Sequence, residues 1–156
     1  MEQLSTLLTR LQGQRVYFDT NAVIYFFDRT STHFVVMGEL IQACDRGEFF
    51  GLTGDAAVAE FMVHPYRSNN AGEIARVKGF FTRKNFLTVL AHTGEIFDAA
   101  SRLRAHHPVK LIDALHYATA AQAQCRFFIT NDKDFGALSS SHGLEVINLS
   151  EVQSDT

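Results

Sequence analysis

Acidic residues lie where predicted strands of this chain give way to helices. Asp19 follows the apolar stretch Val-Tyr-Phe, and Asp132 comes shortly after a strand rich in phenylalanine. Asp113 opens an alanine-rich helix, whereas Glu60 lies within a helix among small and apolar neighbours. In an open parallel sheet the carboxyl ends of the strands share one edge, and ligands bind in the crevice beside that edge. We therefore expect these four carboxylates to converge in space.

Strands and helices alternate along the chain, which favours an α/β fold with a parallel sheet. The pattern predicts strands at residues 16–18, 49–53, 86–90, 126–129 and 144–147. It predicts helices at residues 22–27, 34–46, 54–64, 71–83, 94–106 and 112–124, with a helical turn at 133–138. At 156 residues, the whole chain 1–156 is interpreted as a single domain.

The two ends of the chain are expected to lie outside a core that spans about residues 16–147. Leu4, Leu7, Leu8 and Leu11 recur at helical spacing, which predicts an N-terminal helix at about 2–12. The residues after 147 are interpreted as a polar C-terminal tail. Inside the core, Pro65 is expected to break its helix and to begin a loop at residues 65–70.

The composition indicates an ordinary globular protein without a nucleic-acid-binding tail. The chain has 14 basic and 17 acidic residues, a net charge of −3, and no run of Lys or Arg. Cys44 and Cys125 have no partner motif, so we expect reduced, packed thiols. The N-terminus has no secretory signal, and the longest apolar run, residues 22–27, is too short to span a bilayer. We therefore expect a cytoplasmic protein that is not associated with a membrane.

Each acid also has a structural explanation that the sequence leaves open. Asp19 can cap a helix, Asp113 can stabilise a helix N-terminus, and Asp132 can form an Asx turn. Glu60 can pair with Arg67. Four carboxylates close together repel one another unless a cation lies between them, and a hard divalent ion is the usual solution. Taken jointly, they favour a metal site.

Several neighbouring polar residues are candidates for supporting roles. Asn21 and Thr130 stand at two of the same strand ends. Asp134 lies two residues after Asp132, so on a helical turn the two point in different directions and only Asp132 is expected to face the site. For His116 a hydrogen-bonded, half-buried position is favoured over a ligand role.

The residues that surround the four acids resemble those of PIN-domain nucleases. The resemblance rests on the segments Asp-Thr-Asn at 19–21, Glu60, Asp-Ala-Leu-His at 113–116 with Ala-Thr-Ala at 118–120, and Thr-Asn-Asp-Lys-Asp-Phe at 130–135. Their order and spacing are most similar to the toxin component of VapBC-type toxin–antitoxin pairs. The resemblance covers about residues 16–147.

This resemblance implies a three-layer α/β/α sandwich around a central parallel β-sheet. It also implies an Mg²⁺- or Mn²⁺-dependent ribonuclease that cleaves RNA, forms a homodimer and pairs with an antitoxin protein. The four acidic positions of the family, both catalytic and metal-binding, correspond to Asp19, Glu60, Asp113 and Asp132. Its polar residue beside the fourth acid corresponds to Thr130.

Three other interpretations differ from a toxin nuclease. A haloacid-dehalogenase-like phosphatase has a second aspartate two residues after the first, where this chain has Asn21, so that class is disfavoured. A non-enzymatic binding module would use the acids only to cap helices. A PIN nuclease of RNA processing would act without an antitoxin.

Overall fold

A computed structural model describes residues 1–83, 87–138 and 143–155 of the chain. Five parallel strands form its main sheet, in the spatial order β4-β3-β2-β5-β6. In chain order the strands are β1 (Glu2–Gln3), β2 (Arg15–Phe18), β3 (Phe50–Gly54), β4 (Leu87–Leu90), β5 (Phe127–Thr130), β6 (Glu145–Asn148) and β7 (Val152–Gln153). The predicted strand positions are thus confirmed to within one or two residues; Phe86 lies outside the described residues.

Seven α-helices occur in the described part of the chain. They are α1 (Leu4–Leu11), α2 (Thr20–Phe27), α3 (Phe34–Asp45), α4 (Asp55–Ser68), α5 (Ala71–Thr82), α6 (Gly94–His106) and α7 (Leu111–Gln122). Two 3₁₀ helices follow, at Lys133–Leu138 and Leu149–Glu151. None of the helices in the described ranges is long and apolar enough to cross a membrane.

Hydrophobic cores cover both faces of the sheet because successive side chains of a strand point to opposite faces. Val16 and Phe18 of β2 face the first core, which also contains apolar residues of α1 to α5. Tyr17 of β2 and Phe128 of β5 face the second core, which is closed by α6 and α7. Helices therefore pack on both faces of a parallel sheet, which confirms the predicted α/β/α sandwich.

The N-terminal helix expected at about 2–12 is confirmed as α1 (Leu4–Leu11), whereas the C-terminal segment is structured and is not the expected polar tail. Glu2 and Gln3 form β1, which pairs in parallel with β7 near the C-terminus. Leu149 and Val152 are buried in the first core, and Arg10 forms ion pairs with Glu2 and Glu145. The C-terminal segment differs from the predicted polar tail because two apolar residues, Leu149 and Val152, are enough to pack this segment against α1.

Helix α4 continues through Pro65 to Ser68, so the predicted break and the loop at 65–70 are wrong. Proline removes one backbone donor from a helix, but here its ring is buried. The Ser68 hydroxyl donates to the Pro65 carbonyl at 3.1 Å, which adds a side-chain hydrogen bond to the last turn. The helix ends instead at Asn69, which has a left-handed φ of 52°.

The opening helix is a part of the core, and this leads to a prediction about stability. Leu7 is fully buried, whereas Leu8, on the adjacent helix position, is partly buried. We expect Leu7→Ala to lower the free energy of unfolding by about 2–5 kcal/mol, the usual cost of emptying a buried leucine site. Leu8→Ala is the matched control and is expected to cost clearly less. Equal losses in urea unfolding would contradict this placement of α1.

Candidate metal centre

Asp19 is fixed at the carboxyl end of the sheet by the pairing of β2 with β5. Phe18 is in register with Ile129, and the backbone N–H of Asp19 donates to the Ile129 carbonyl at 2.9 Å. The next residue of β5, Thr130, therefore lies beside the Asp19 side chain. Its hydroxyl donates to Oδ2 of Asp19 at 2.8 Å, while the backbone N–H of Thr20 donates to Oδ1 at 2.8 Å. Asp19 also caps α2, so the structural explanation for it holds as well.

The Asp19 carboxylate is buried, which is unusual for a charged group. Asp19 is 2% exposed, and the loss of hydration raises the pKa of its side chain to about 7. The negative charges of Asp113 and Asp132 raise the pKa further, whereas the hydrogen bonds from Thr130 and Thr20 oppose the rise. Asp19 thus lies within the electrostatic influence of two other acids.

Asp113 lies in the first turn of α7 and is half-buried. Partial desolvation raises its pKa to about 6, with further contributions from the charges of Asp132, Glu60 and Asp134. The ammonium group of Lys110 lowers that pKa. Because the three other predicted site acids act on it or are acted on by it, Asp113 is at the electrostatic centre of the cluster.

Thr130 and Asn21 organise the loop that carries Asp132. The backbone N–H of Asp132 donates to Oγ1 of Thr130 at 3.0 Å, and the side-chain oxygen of Asn21 accepts from the backbone N–H of Asn131 at 2.9 Å. Oδ1 of Asp132 accepts from the backbone N–H of Asp134 at 2.9 Å, which is the expected Asx turn. Asp134 is exposed and Asp132 is half-buried, which agrees with the expectation that only Asp132 faces the site.

Glu60 is more exposed than its apolar neighbours led us to expect. Glu60 belongs to an exposed part of α4 together with Ala59, Val63 and His64, whereas Ala57 and Met62 are buried. One oxygen of Glu60 nevertheless lies 3.4 Å from the Thr20 hydroxyl. Partial desolvation raises the pKa of Glu60, and this hydrogen bond lowers it. Arg67 forms no ion pair with Glu60 in the ranges that the structure describes, so the alternative of a salt bridge is not supported.

The chemistry of this cluster fits a divalent cation, although its side chains do not converge to ligating distance. The four acids supply only hard oxygen donors, as Mg²⁺ and Mn²⁺ prefer, and their mutual repulsion is of the kind that a cation relieves. Among the described residues, no group of three or more His, Cys, Asp or Glu side chains is arranged to hold a metal ion as it stands. Asp19, Asp113, Glu60 and Asp132 are the residues that would hold such a cation.

A buried polar network beside the acids was not predicted. The hydroxyl of Tyr17 lies 2.7 Å from Nδ1 of His116, and Nε2 of that imidazole lies 3.0 Å from the Thr20 hydroxyl. His116 is fully buried rather than half-buried. His92 lies against it, with ring centroids 5.5 Å apart. These residues connect β2, α7 and α2 behind the carboxylates.

Gly54 makes room for this network at the start of α4. A Cβ atom there would lie 2.5 Å from the Tyr17 hydroxyl and 2.7 Å from Nε2 of His92, which are distances too short for non-bonded atoms. One sequence signal could have revealed the network: a tyrosine in the central position of a buried strand needs a partner for its hydroxyl. Nothing in the sequence says which histidine supplies it.

Residues 16–140 match the family model described as PIN domain. The comparison with curated proteins gives no significant match. Among solved structures, the sarcin-ricin-loop-cleaving toxin VapC20 of Mycobacterium tuberculosis superposes with a TM-score of 0.65 at 13% identity, covering 79% of this chain and 94% of that one.

Two further solved structures are similar to this chain. A toxin–antitoxin complex from Klebsiella pneumoniae gives a TM-score of 0.61 at 23% identity and covers 86% of this chain and 97% of that one. VapBC2 of Rickettsia felis, bound to promoter DNA, gives a TM-score of 0.65 at 14% identity and covers 86% and 98%. At these identities the likeness shows a shared fold.

The raised pKa of Asp113 predicts a pH-dependent gain in stability on its neutralisation. An aspartate that titrates near 3.8 when unfolded and at about 6 when folded stabilises the fold in its protonated form. That contribution is present below the unfolded pKa and is lost as the pH rises through the folded one. Without metal, we therefore expect Asp113→Asn to raise the unfolding temperature at about pH 8 and to leave it nearly unchanged at about pH 4.

Differential scanning fluorimetry at the two pH values checks this expectation. Asp98→Asn is the control, because Asp98 is exposed and pairs with Arg102 on the surface of α6. It is expected to give no gain at the higher pH. A lower unfolding temperature for Asp113→Asn at that pH would show that the carboxylate is stabilised rather than strained.

Proposed function

This chain belongs to the PIN-domain family, and from that premise we propose that it is a metal-dependent ribonuclease of the toxin type, acting in the cytoplasm. The observation that supports the proposal best is the electrostatic interaction among carboxylates from separate elements. Asp19 follows β2, Asp113 lies in the first turn of α7 and Asp132 follows β5, yet the charges of Asp113 and Asp132 raise the pKa of Asp19, and the charge of Asp132 raises the pKa of Asp113. Burying charges that repel one another lowers stability, so a functional reason for keeping them together is needed.

We assign direct metal binding to Asp19 and Asp113. Asp19 is held by two hydrogen bonds, and it can therefore present its carboxylate with little loss of side-chain freedom. Glu60, on the exposed rim, would position the metal or the attacking water. Asp132 would complete the ligand set, with Thr130 and Asn21 holding its loop.

A divalent cation bound among these acids supplies Lewis-acid stabilisation of a phosphate and makes water more acidic. Either Mg²⁺ or Mn²⁺ suits an all-oxygen ligand set. The residues of the chain have complementary tasks. The carboxylates would hold the cation and orient water, Thr130 keeps Asp19 in place, and Lys110, which acts on Asp113, would attract the phosphate of RNA.

Partners are proposed on two grounds. Some solved structures similar to this chain are toxin–antitoxin complexes, so an antitoxin protein is the proposed regulator. Several large apolar side chains are also exposed, among them Ile24 of α2 and Val63 and Tyr66 of α4. Helices α2 and α4 pack together. Apolar surface of this kind is typical of a protein-binding region.

A second candidate function is supported by the same residues. Asp19 caps α2 and Asp132 forms an Asx turn, as in a binding module without catalytic activity. A nuclease of RNA processing that has no antitoxin would share the catalytic site proposed here. Titration with Mn²⁺ separates a binding module from a nuclease, because acids that only cap helices do not create a saturable metal site.

Metal-dependent cleavage of RNA is the central prediction. The purified protein is expected to cut RNA with Mg²⁺ or Mn²⁺ and to stop when the metal is chelated. Asp113→Asn should reduce cleavage by more than about 100-fold, since even outer partners of a metal site are worth 10- to 100-fold. Circular dichroism should show that the variant is folded. An undiminished rate in that variant would refute the assignment.

Asp132 and Asp134 provide a matched pair of variants for the same assay. Asp132→Ala is expected to cost far more activity than Asp134→Ala under saturating Mn²⁺, because Asp134 is exposed. The reverse order would place the fourth ligand on Asp134.

Association into a homodimer is proposed as well. Light scattering at micromolar concentration is expected to give twice the mass of one chain, since burial of exposed apolar side chains favours association. Tyr66→Lys places a charge on the exposed apolar surface of α4 and should shift the equilibrium toward monomer if α4 takes part in the dimer interface. A parent protein that is monomeric throughout would contradict the proposal.

A further inference from the structure

A continuous hydrogen-bonded chain runs from the interior of the second core to the acidic cluster. It begins at the hydroxyl of Tyr17, passes through both nitrogens of His116, and continues to the hydroxyl of Thr20 and an oxygen of Glu60. Tyr17 and His116 are fully buried, and Thr20 is 6% exposed. Four elements, β2, α7, α2 and α4, are thereby linked through side chains alone.

One assignment of protons satisfies every member of this chain. If the Tyr17 hydroxyl donates to Nδ1 of His116, then Nε2 of His116 carries the proton and donates to Oγ1 of Thr20. Thr20 is then free to donate its own proton to Glu60. In the opposite tautomer Thr20 would donate to the imidazole, which would leave lone pairs of Thr20 and Glu60 facing each other and the Tyr17 proton without an acceptor. Buried polar groups are rarely left in that state.

The imidazole is held neutral, so it can keep this donor–acceptor polarity. Burial lowers the pKa of His116 to about 3, and the neighbouring His92 contributes in the same direction. His92 is itself fixed as a neutral ring. Its Nε2 accepts from the backbone N–H of Ala56 at 3.1 Å. Its Nδ1 donates to Oγ1 of Thr119 at 2.8 Å, because the Thr119 hydroxyl donates its own proton to the Leu115 carbonyl.

We propose that His116 is a positioning residue that acts through Thr20 to orient the carboxylate of Glu60 toward the metal site. The proposal rests on the proposed function for the role of Glu60. Glu60 is exposed on α4, and the hydroxyl of Thr20 is the contact that restrains its free end. Because the buried imidazole of His116 donates to the Thr20 hydroxyl, it fixes the direction in which the Thr20 hydroxyl proton points.

The test compares two threonines that are buried to a similar degree and whose hydroxyl oxygens each accept a hydrogen bond from the N–H of a neutral histidine. Thr20→Val removes the hydroxyl that meets Glu60, whereas Thr119→Val removes the one that meets His92. Both variants leave one imidazole N–H without an acceptor, so their general cost to the fold is matched. Only the first of them is expected to alter the metal site.

Binding of Mn²⁺, measured by titration calorimetry, is the main readout. Thr20→Val is expected to weaken Mn²⁺ binding by about 10-fold or more, as for other residues that orient metal ligands. Thr20→Ser should restore it, and Thr119→Val should bind like the parent. In a Glu60→Gln background, Thr20→Val should have no further effect. His116→Leu should weaken binding to the same extent as Thr20→Val, and the double variant should be no weaker than either.

Nitrogen NMR of the histidine rings in the metal-free parent protein provides an independent measurement. His116 is expected to be the neutral Nε2–H tautomer between about pH 5 and pH 8. A protonated ring or the Nδ1–H tautomer would overturn the inference, as would a Thr20→Val variant that binds Mn²⁺ as the parent does.

The outcomes also separate this inference from the proposed function. A parent that cleaves RNA, with Thr20→Val binding Mn²⁺ normally, would leave the nuclease assignment intact and refute the positioning role. A parent that binds Mn²⁺ but cuts no RNA, with the expected loss of Mn²⁺ binding in Thr20→Val, would refute the nuclease assignment and support the positioning role. A parent that binds no Mn²⁺ would refute both.

Discussion

At the carboxyl end of β2, the backbone N–H of Asp19 donates to the carbonyl of Ile129 on β5, and the arrangement of the site follows from this bond. It extends the parallel register one residue beyond Phe18, so that Thr130 lies next to the Asp19 carboxylate. The same threonine accepts from the backbone of Asp132. A one-residue slip would turn each side chain to the opposite face of the sheet, and these acids would then be separated.

The alternation of elements was the part of this molecule that its sequence predicted well. Short apolar strands bounded by helices require a covered parallel sheet, and acids at strand ends must then share an edge. That reasoning accounts for Asp19 and Asp132, which follow β2 and β5, but not for Asp113, which follows α6 and a short loop; the sequence also anticipated the difference in exposure between Asp132 and Asp134. The reasoning succeeded because it depended on periodicity and chain direction, which are local properties.

The features that the sequence did not predict depend on contacts between distant segments. Pro65 was expected to end a helix, but its ring is buried and the helix continues to Ser68, whose hydroxyl donates to the Pro65 carbonyl. Glu60 was expected to be shielded by its neighbours, yet it is exposed together with Val63 and His64 of the same helix. The pairing of Tyr17 with His116, which are 99 residues apart, follows from tertiary structure that periodicity does not specify.

The two cores on opposite faces of the sheet each carry part of the acidic cluster. Helix α4, which carries Glu60, packs in the first core through Met62, whereas α7, which carries Asp113, packs in the second. The separation of these two acids therefore depends on how both helical layers pack against the sheet. Substitutions deep in either core, far from any acid, would move one layer relative to the other. Variation in this protein's interior can thus tune its surface chemistry without changing a single residue of the site.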